Sequence, residues 1–450
     1  MIISKKMKSN RLLLALLIVL SLILYYIAPN RYDIYYIYGC VSIFLISTYF
    51  YFKDIKKKNY FDFDTFFVSS FFLVNFFFPI AVYPFGAERY FAFAYNYNED
   101  AITRSTIIAL IGIIFYYSGS VQSYFVNHKK RWNSPIINIR ILYYFAILCF
   151  AVFLFTGGYK VLRSVYSSNP DAEKGVSGYI YILCRLCSLL LLIVVFHNSY
   201  CRNIKFFNPN KIEIKSLFYI VLFGLMVIIT GSRTPTGQII IVWLGLYSFY
   251  YKPINFRKTV YIGMIGIILL FLAMIYRSGG SLQIGSFSDV FADFFMNNRS
   301  LYLSTDIVDK EGVSYGLSLL GNLLAPIPFL QSIVFSTFNI DPIDAISSLK
   351  FTKESLGEVT TLGFGSNLIG DLYLGCGLIG VGLGMYFLGW IVHFTQRYCK
   401  TDMYCLVTYF MLFAYSVVMP RVEFFYVLRP LLWSLIIINI VKLHKLRITL

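Results

Sequence analysis

The sequence predicts an all-α polytopic membrane protein, and three observations carry that prediction. The chain of 450 residues is 58% hydrophobic and only 14% charged, where a soluble domain carries about 25% charged residues. Its mean hydropathy is +0.68. Its apolar stretches are continuous, as over residues 12–28, rather than alternating. A span needs about 20 apolar residues to cross about 30 Å of hydrocarbon. Only helices and closed barrels satisfy every backbone group there, and unbroken apolar runs select helices.

Taken in order, about twelve spans read off the chain, at 12–28, 34–52, 61–84, 104–125, 141–158, 178–198, 216–231, 236–251, 259–276, 373–396, 403–419 and 426–442. The first comes after Lys5, Lys6 and Lys8, as in a signal peptide. No small-residue cleavage site follows it and a second span begins at once, so it reads as a retained helix. Tyr and Phe crowd the span ends, as at Tyr25-Tyr26 and Tyr35-Tyr36, in the manner of an interfacial aromatic belt. The chain then divides into helices over 1–277, one large loop over 278–372 between the ninth and tenth spans, and the last helices and tail over 373–450.

The net charge of +17 is a topology signal here, not a nucleic-acid one. Lysines and arginines gather at the N-terminus, at Lys53 and Lys56–Lys58, at Lys129–Arg131, around Arg202 and Lys211, at Arg257-Lys258, at Arg397 and Lys400, and at Lys442, Lys445 and Arg447. These segments all fall on one face, which puts both termini in the cytoplasm and the long loop outside. An apolar piece over 316–335 would invert everything after it if it crossed. Pro326 and Pro328 interrupt it, so it reads as re-entrant or surface-lying. A thiol placed at Ser304 is therefore expected to be reachable from outside.

Function is sought where polar residues meet the loop side. Gly231-Ser232-Arg233-Thr234-Pro235 is a tight turn in which a guanidinium can hold a phosphate bidentately or snorkel to lipid headgroups. Arg421-Val422-Glu423 is the last loop-side turn, and Arg429 opens the final helix. Glu423 is either a base or the partner that neutralises Arg421 or Arg429. Gly363–Asp371 is rich in small residues, and Asp371 stands where the loop re-enters the bilayer. It would orient or deprotonate a hydroxyl, or else cap or pair. Asp306, Asp309 and Glu311, interleaved with Lys310, read as a solvated face rather than a cation site. Arg277 and Arg299 would add positive charge near a phosphate.

Other chemistries lack their residues. All four histidines, His128, His197, His393 and His444, lie at or near the cytoplasmic side, which leaves no histidine for a zinc site or a histidine base outside. Cys184-x-x-Cys187 lies inside an apolar helix and reads as core. No phosphate-binding loop or dinucleotide fingerprint occurs.

In their order these pieces resemble the Wzy family of O-antigen and capsule repeat-unit polymerases. The resemblance rests on Gly231-Ser232-Arg233 followed by Ile239-Ile240-Ile241, the long loop, Ser366-Asn367-Leu368-Ile369-Gly370-Asp371 ahead of a glycine-rich span, and Arg421-x-Glu423. It implies a glycosyltransferase similar in fold to the GT-C type, in a bacterial inner membrane, with the loop periplasmic. Its substrates would be undecaprenyl-diphosphate-linked glycans, with membrane lipids, a chain-length regulator and a flippase as further partners, and no nucleic acid. It requires no cofactor and no metal. Arg233, Arg421, Glu423 and Asp371 would be catalytic, and Arg429, Arg277, Arg299 and Ser232 would bind substrate. The loop would act as a lid or glycan guide. A related ligase uses a loop-side histidine, which is missing here, and a flippase of such units has short loops. Arg233→Ala is expected to abolish long-chain glycan while the protein stays in the membrane; a normal polysaccharide ladder in a deletion strain carrying the variant would refute this.

Overall fold

The computed structural model describes residues 3–86, 90, 93, 95, 97–123, 136–158, 176–203, 205–229, 233–277, 292, 295–357 and 365–448. For residues 3–11, 229, 233, 267, 269–277 and 443–448 it describes the backbone alone. Among the described residues all regular structure is helical. Among the described residues, helices lie within each segment expected to span: α1 (Ile3–Ile27), α2 (Ile34–Asp54), α3 (Phe63–Phe72) continued by the short α4 (Phe78–Ala81), α5 (Ala101–Ser123), α6 (Ile139–Phe153) and α7 (Val176–Arg202). Next come α8 (Lys211–Ile229), α9 (Arg233–Tyr250) and α10 (Phe256–Arg277). Seven described segments are long and apolar enough to cross a membrane, among them Ile34–Asp54, Ala101–Ser123, Val176–Arg202 and Leu368–Tyr398. Leu12–Ile27 and Met403–Tyr415 are apolar but shorter.

The long loop folds into short helices: α11 (Asn298–Glu311), α12 (Leu320–Leu324), α13 (Leu330–Phe338), α14 (Pro342–Ala345) and α15 (Ser347–Leu356). The chain ends with α16 (Leu368–Tyr398), α17 (Met403–Tyr415) and α18 (Leu428–Ile448). The apolar piece 316–335 thus holds a 3-10 turn and two short helices, the longer of nine residues, against the roughly 20 that a span needs.

Helix α5 is the axis of the bundle. Nearly all of its side chains are buried, although a lipid-facing helix would leave one face open. The outer helices α1, α2 and α6 instead turn Leu16, Ile46 and Leu148 outward. That apolar exterior suits hydrocarbon, where burial of apolar surface no longer drives assembly and close packing of small residues does. The α5–α16 contact is of this kind. A Cβ on Gly119 would stand 1.9 Å from the Tyr386 carbonyl oxygen, and one on Gly389 would stand 2.1 Å from that of Tyr116. The two backbones therefore touch. At the end of α5 away from the loop, Tyr116 and Tyr51 donate to the buried Asp64 at 2.5 and 3.1 Å, with His393 Nε2 3.1 Å from the same carboxylate.

Helix α16 is two helices joined by a break. Cys376 and Gly377 leave helical geometry, and Gly377 adopts φ 61°, ψ −150°, a combination open essentially to glycine alone. The break frees carbonyls, which the loop takes up: Ser314 N donates to Leu374 O at 2.9 Å and Gly316 N to Gly375 O at 2.8 Å. The helix also begins at Leu368, ahead of the span start expected at 373.

Helix α11 is built into the bundle. Its residues from Asn298 to Thr305 are buried, Ser105 and Thr305 are hydrogen bonded at 2.9 Å, and Arg104 holds Asp309 at 2.6 Å. Ser304 is therefore not reachable by a reagent: it is buried with its hydroxyl on Leu301 O at 2.8 Å, because the stripe at 301, 304 and 305 faces the helices. Tyr315, 91% exposed, is the accessible position nearby.

Gly389→Ala is expected to destabilise the protein by about 1–3 kcal/mol, because its methyl group meets backbone that cannot turn aside. Gly39→Ala, with no atom within 4 Å of the added carbon, should leave the melting temperature in detergent unchanged or slightly raised. Equal melting of the two variants would refute the backbone contact.

Candidate functional site

The loop end of the bundle holds a buried polar corner, and its construction begins with a proline. Pro79 lacks an N–H, so the carbonyl of Asn75 four residues earlier has no ordinary helical donor. The chain widens into a π turn over Leu73–Phe77, and Asn298 Nδ2 of α11 donates to Asn75 O at 3.4 Å. Asn367 then ties three segments. Its Oδ1 caps α16 by accepting from Ile369 N at 2.9 Å and Gly370 N at 3.1 Å. Its Nδ2 donates to Asn75 Oδ1 at 3.0 Å and to Asn297 O at 3.4 Å. Asn297 Nδ2 in turn donates to Ser366 O at 2.9 Å and to Arg421 O at 3.1 Å. Arg421 Nε returns a bond to Asn297 Oδ1 at 3.3 Å.

This knot brings two of the sequence motifs together. Asp371, one turn into α16 and 1% exposed, accepts the Phe424 N–H on Oδ2 at 2.8 Å. Glu423, buried at 9% exposure, is close enough for the two carboxylates to repel. Ser347 borders the same carboxylate, and its hydroxyl lies 3.1 Å from that of Ser366. Among the described residues Arg429 spends its Nε on a backbone carbonyl of the loop and forms no ion pair with Glu423. Arg421 and Glu423 lie in two successive turns, with Arg421 ending the 3-10 turn Met419–Arg421 and Glu423 preceding Phe424–Val427. Asp371 Oδ1 and Asn298 Oδ1 are buried acceptors without a donor among the described residues. Such acceptors are costly to leave empty, about 1–3 kcal/mol each.

Arg429 stands apart from this corner. Its Nε donates to Ala325 O at 2.9 Å, and Trp433 Nε1 to Pro326 O at 2.7 Å, so α18 is docked on the loop. Beside it opens a cavity of about 100 Å³ that Arg185 also lines. Arg299 is not in the corner: it is 1% exposed, with Nη1 on Ser355 Oγ at 2.5 Å. Burial pulls its guanidinium down to about 10, which leaves it charged at neutral pH. Ser232 lies outside the described residues, as do Gly231, Gly363 and Phe364. Of Arg233 and Arg277 only the backbone is described, at the first residue of α9 and the last of α10.

The loop acids are paired. Asp306 accepts from Asn98 and Lys310, Asp309 from Arg104, and Glu311 from Lys350. Among the described residues no three side chains of the ligand types converge on a metal position. Sequence reasoning passes over the asparagines at 75, 297 and 298. The signal available was an Asn four residues before a Pro inside an apolar run, and a doubled Asn opening an amphipathic helix. Arg185 was visible only as a charge inside a span. At about 2.5–3.5 kcal/mol on insertion scales, such a charge asks for a reason.

A family model described as O-antigen polysaccharide polymerase Wzy matches residues 11–448, nearly the whole chain. No curated protein and no solved structure matches.

Replacing Asn367 removes a helix cap and strands the groups it serves, so Asn367→Ala should cost about 2–4 kcal/mol. Asn367→Asp keeps the capping oxygen and should cost less. Thermal unfolding of the purified variants checks the order, and a harmless Asn367→Ala would contradict the tie.

Proposed function

The chain belongs to the O-antigen polysaccharide polymerase family Wzy, and from that premise we propose that it joins undecaprenyl-diphosphate-linked repeat units at the periplasmic face of the inner membrane. The observation that carries the reading is the meeting of Asp371 and Glu423 beside Arg421, at the end of the bundle that bears the long loop. The charge pattern favours this end as periplasmic; about twelve spans and the GT-C-like arrangement implied by the resemblance belong to the same proposal.

In the proposed reaction a hydroxyl on the terminal sugar of a new lipid-linked unit attacks the anomeric carbon of the growing glycan. The carbon–oxygen bond to the lipid diphosphate breaks, and the diphosphate leaves with the electron pair. The hydroxyl proton passes to a carboxylate, Glu423 or Asp371. Glu423 is the freer of the two, because Asp371 already commits one oxygen to Phe424 N. Asp371 Oδ1 and Asn298 Oδ1 offer acceptors for sugar hydroxyls. Arg421 and Arg233 stabilise the charge building on the leaving group, the role for which preorganised cations are most effective. Arg299 braces the loop against α15 instead of touching substrate. The guiding part of the loop is the stretch after α11, where Leu323, Ile327, Phe329 and Ile333 are exposed and would rest on lipid beside arriving carriers.

Loss of a proton acceptor slows such steps by about 10²–10⁴-fold. Glu423→Gln or Asp371→Asn should therefore reduce a deletion strain's polysaccharide to single-repeat caps while membrane levels hold. Full ladders from both variants would refute the carboxylate assignment; complete absence of caps would point to a flippase or ligase instead.

A further inference from the structure

The cavity between α7, α17, α18 and α12 has a charge problem that the carboxylate corner does not solve. Arg185 and Arg429 both line it, together with Asn322, Tyr415 and Tyr426. Among the described residues neither arginine has a carboxylate partner, and no acid lines the cavity. Arg185 directs Nε and Nη2 to the side-chain oxygen of Gln238, a neutral group. Its guanidinium carbon sits 5.2 Å from the centre of the Tyr415 ring. Arg429 uses only Nε, on the Ala325 carbonyl, and lies 5.9 Å from the Tyr179 ring centre. Among the described residues, Nη1 of Arg185 and both terminal nitrogens of Arg429 find no hydrogen-bond acceptor.

Arg185 lies nine residues into α7, about 14 Å along the helix. Two half-buried guanidiniums line one space that holds no acid among the described residues, and like charges there repel each other. Carbonyl and ring contacts offset part of that cost; an anion offsets the rest. The guanidinium forks match phosphate oxygens in bidentate geometry, and the tyrosine hydroxyls and Asn322 add neutral donors. The volume of about 100 Å³ suits a phosphate group or a compact diphosphate. The neighbouring loop turns Leu323, Ile327 and Phe329 to the exterior, so the ligand's tail would lie against apolar surface.

We propose that Arg185 and Arg429 form an anion seat for a lipid-borne diphosphate, separate from the Asp371–Glu423 corner. The proposal rests on the polymerase reading for the identity of the lipid. Tyr426 of the cavity follows Glu423 of the corner by three residues, on the turn Phe424–Val427. A diphosphate in the seat would thus be tethered within reach of the carboxylates.

The test is direct binding to the full-length protein in detergent, measured by thermophoresis with farnesyl diphosphate as probe, farnesol as tail control and phosphatidylglycerol as headgroup control. Saturable binding of farnesyl diphosphate, none of farnesol, and a loss of about tenfold or more in Arg185→Gln and in Arg429→Gln are expected. Arg185→Lys keeps the charge and loses the fork, and should fall between. It also carries the test if Arg185→Gln does not fold. Binding that is absent, or unchanged by Arg185→Gln and Arg185→Lys, overturns the seat. Phosphatidylglycerol bound as tightly, with the same arginine dependence, overturns the diphosphate assignment. Failure of the seat leaves the glycan ladder's dependence on Asp371 and Glu423 untouched. Failure of the polymerase reading appears in the ladder and leaves the binding intact.

Discussion

A buried amide has to find partners, and the loop end of this protein is organised by that requirement. Asn367 serves at once as helix cap, as donor to Asn75 and as donor to Asn297. Through it the first half of α16, the π turn before Pro79, the start of α11 and the turn carrying Arg421 are held in one register. Each link is an ordinary hydrogen bond worth about 1 kcal/mol net. Their joint effect is larger, because breaking any one leaves a polar group stranded where water does not reach. The carboxylates depend on this frame: Asp371 is positioned by the cap of its own helix, and Glu423 by the Phe424 N–H that Asp371 holds.

The break in α16 serves the same end. A straight helix from 368 to 398 would carry its carbonyls in unbroken ladder. At Cys376–Gly377 the ladder opens, and the freed carbonyls of Leu374 and Gly375 receive N–H groups from the loop at Ser314 and Gly316. Irregular backbone at membrane depth is tolerated only where protein or a cavity satisfies it. From residue 295 to about 316 the described loop is consequently part of the bundle's structure. Within the described part of the loop, α11 is buried against the bundle and the portion after it exposes Leu323, Ile327, Phe329 and Ile333. Deeper in the bundle, the touching backbones of α5 and α16 at Gly119 and Gly389 fix where the broken helix stands.

The charges sort into two neighbouring places. The corner carries Asp371, Glu423 and Arg421; the cavity carries Arg185 and Arg429 without an acid among its lining residues. A transfer between two lipid-linked glycans needs a group that accepts a proton and a group that accepts the negative charge of a leaving diphosphate. The short segment 421–429 contributes to both places, with Arg421 and Glu423 at the corner and Tyr426 and Arg429 at the cavity. The loop acids farther out are engaged by Asn98, Arg104, Lys310 and Lys350.

Much of this was legible in the chain itself. Continuous apolar runs determine helices, because hydrocarbon leaves the backbone no other way to pair its polar groups. The motifs at 366–371 and 421–423 contain the residues of the corner. The sequence could not say that those two motifs meet, since nothing in their spacing along the chain encodes it. Nor could it show that Glu423 comes beside Asp371, that Arg299 is enclosed, or that Ser304 faces inward. Those outcomes belong to tertiary structure, for one physical reason. Periodicity reports which groups prefer to be hidden from water, whereas the pairing of hidden polar groups is settled only when distant helices come within hydrogen-bonding distance.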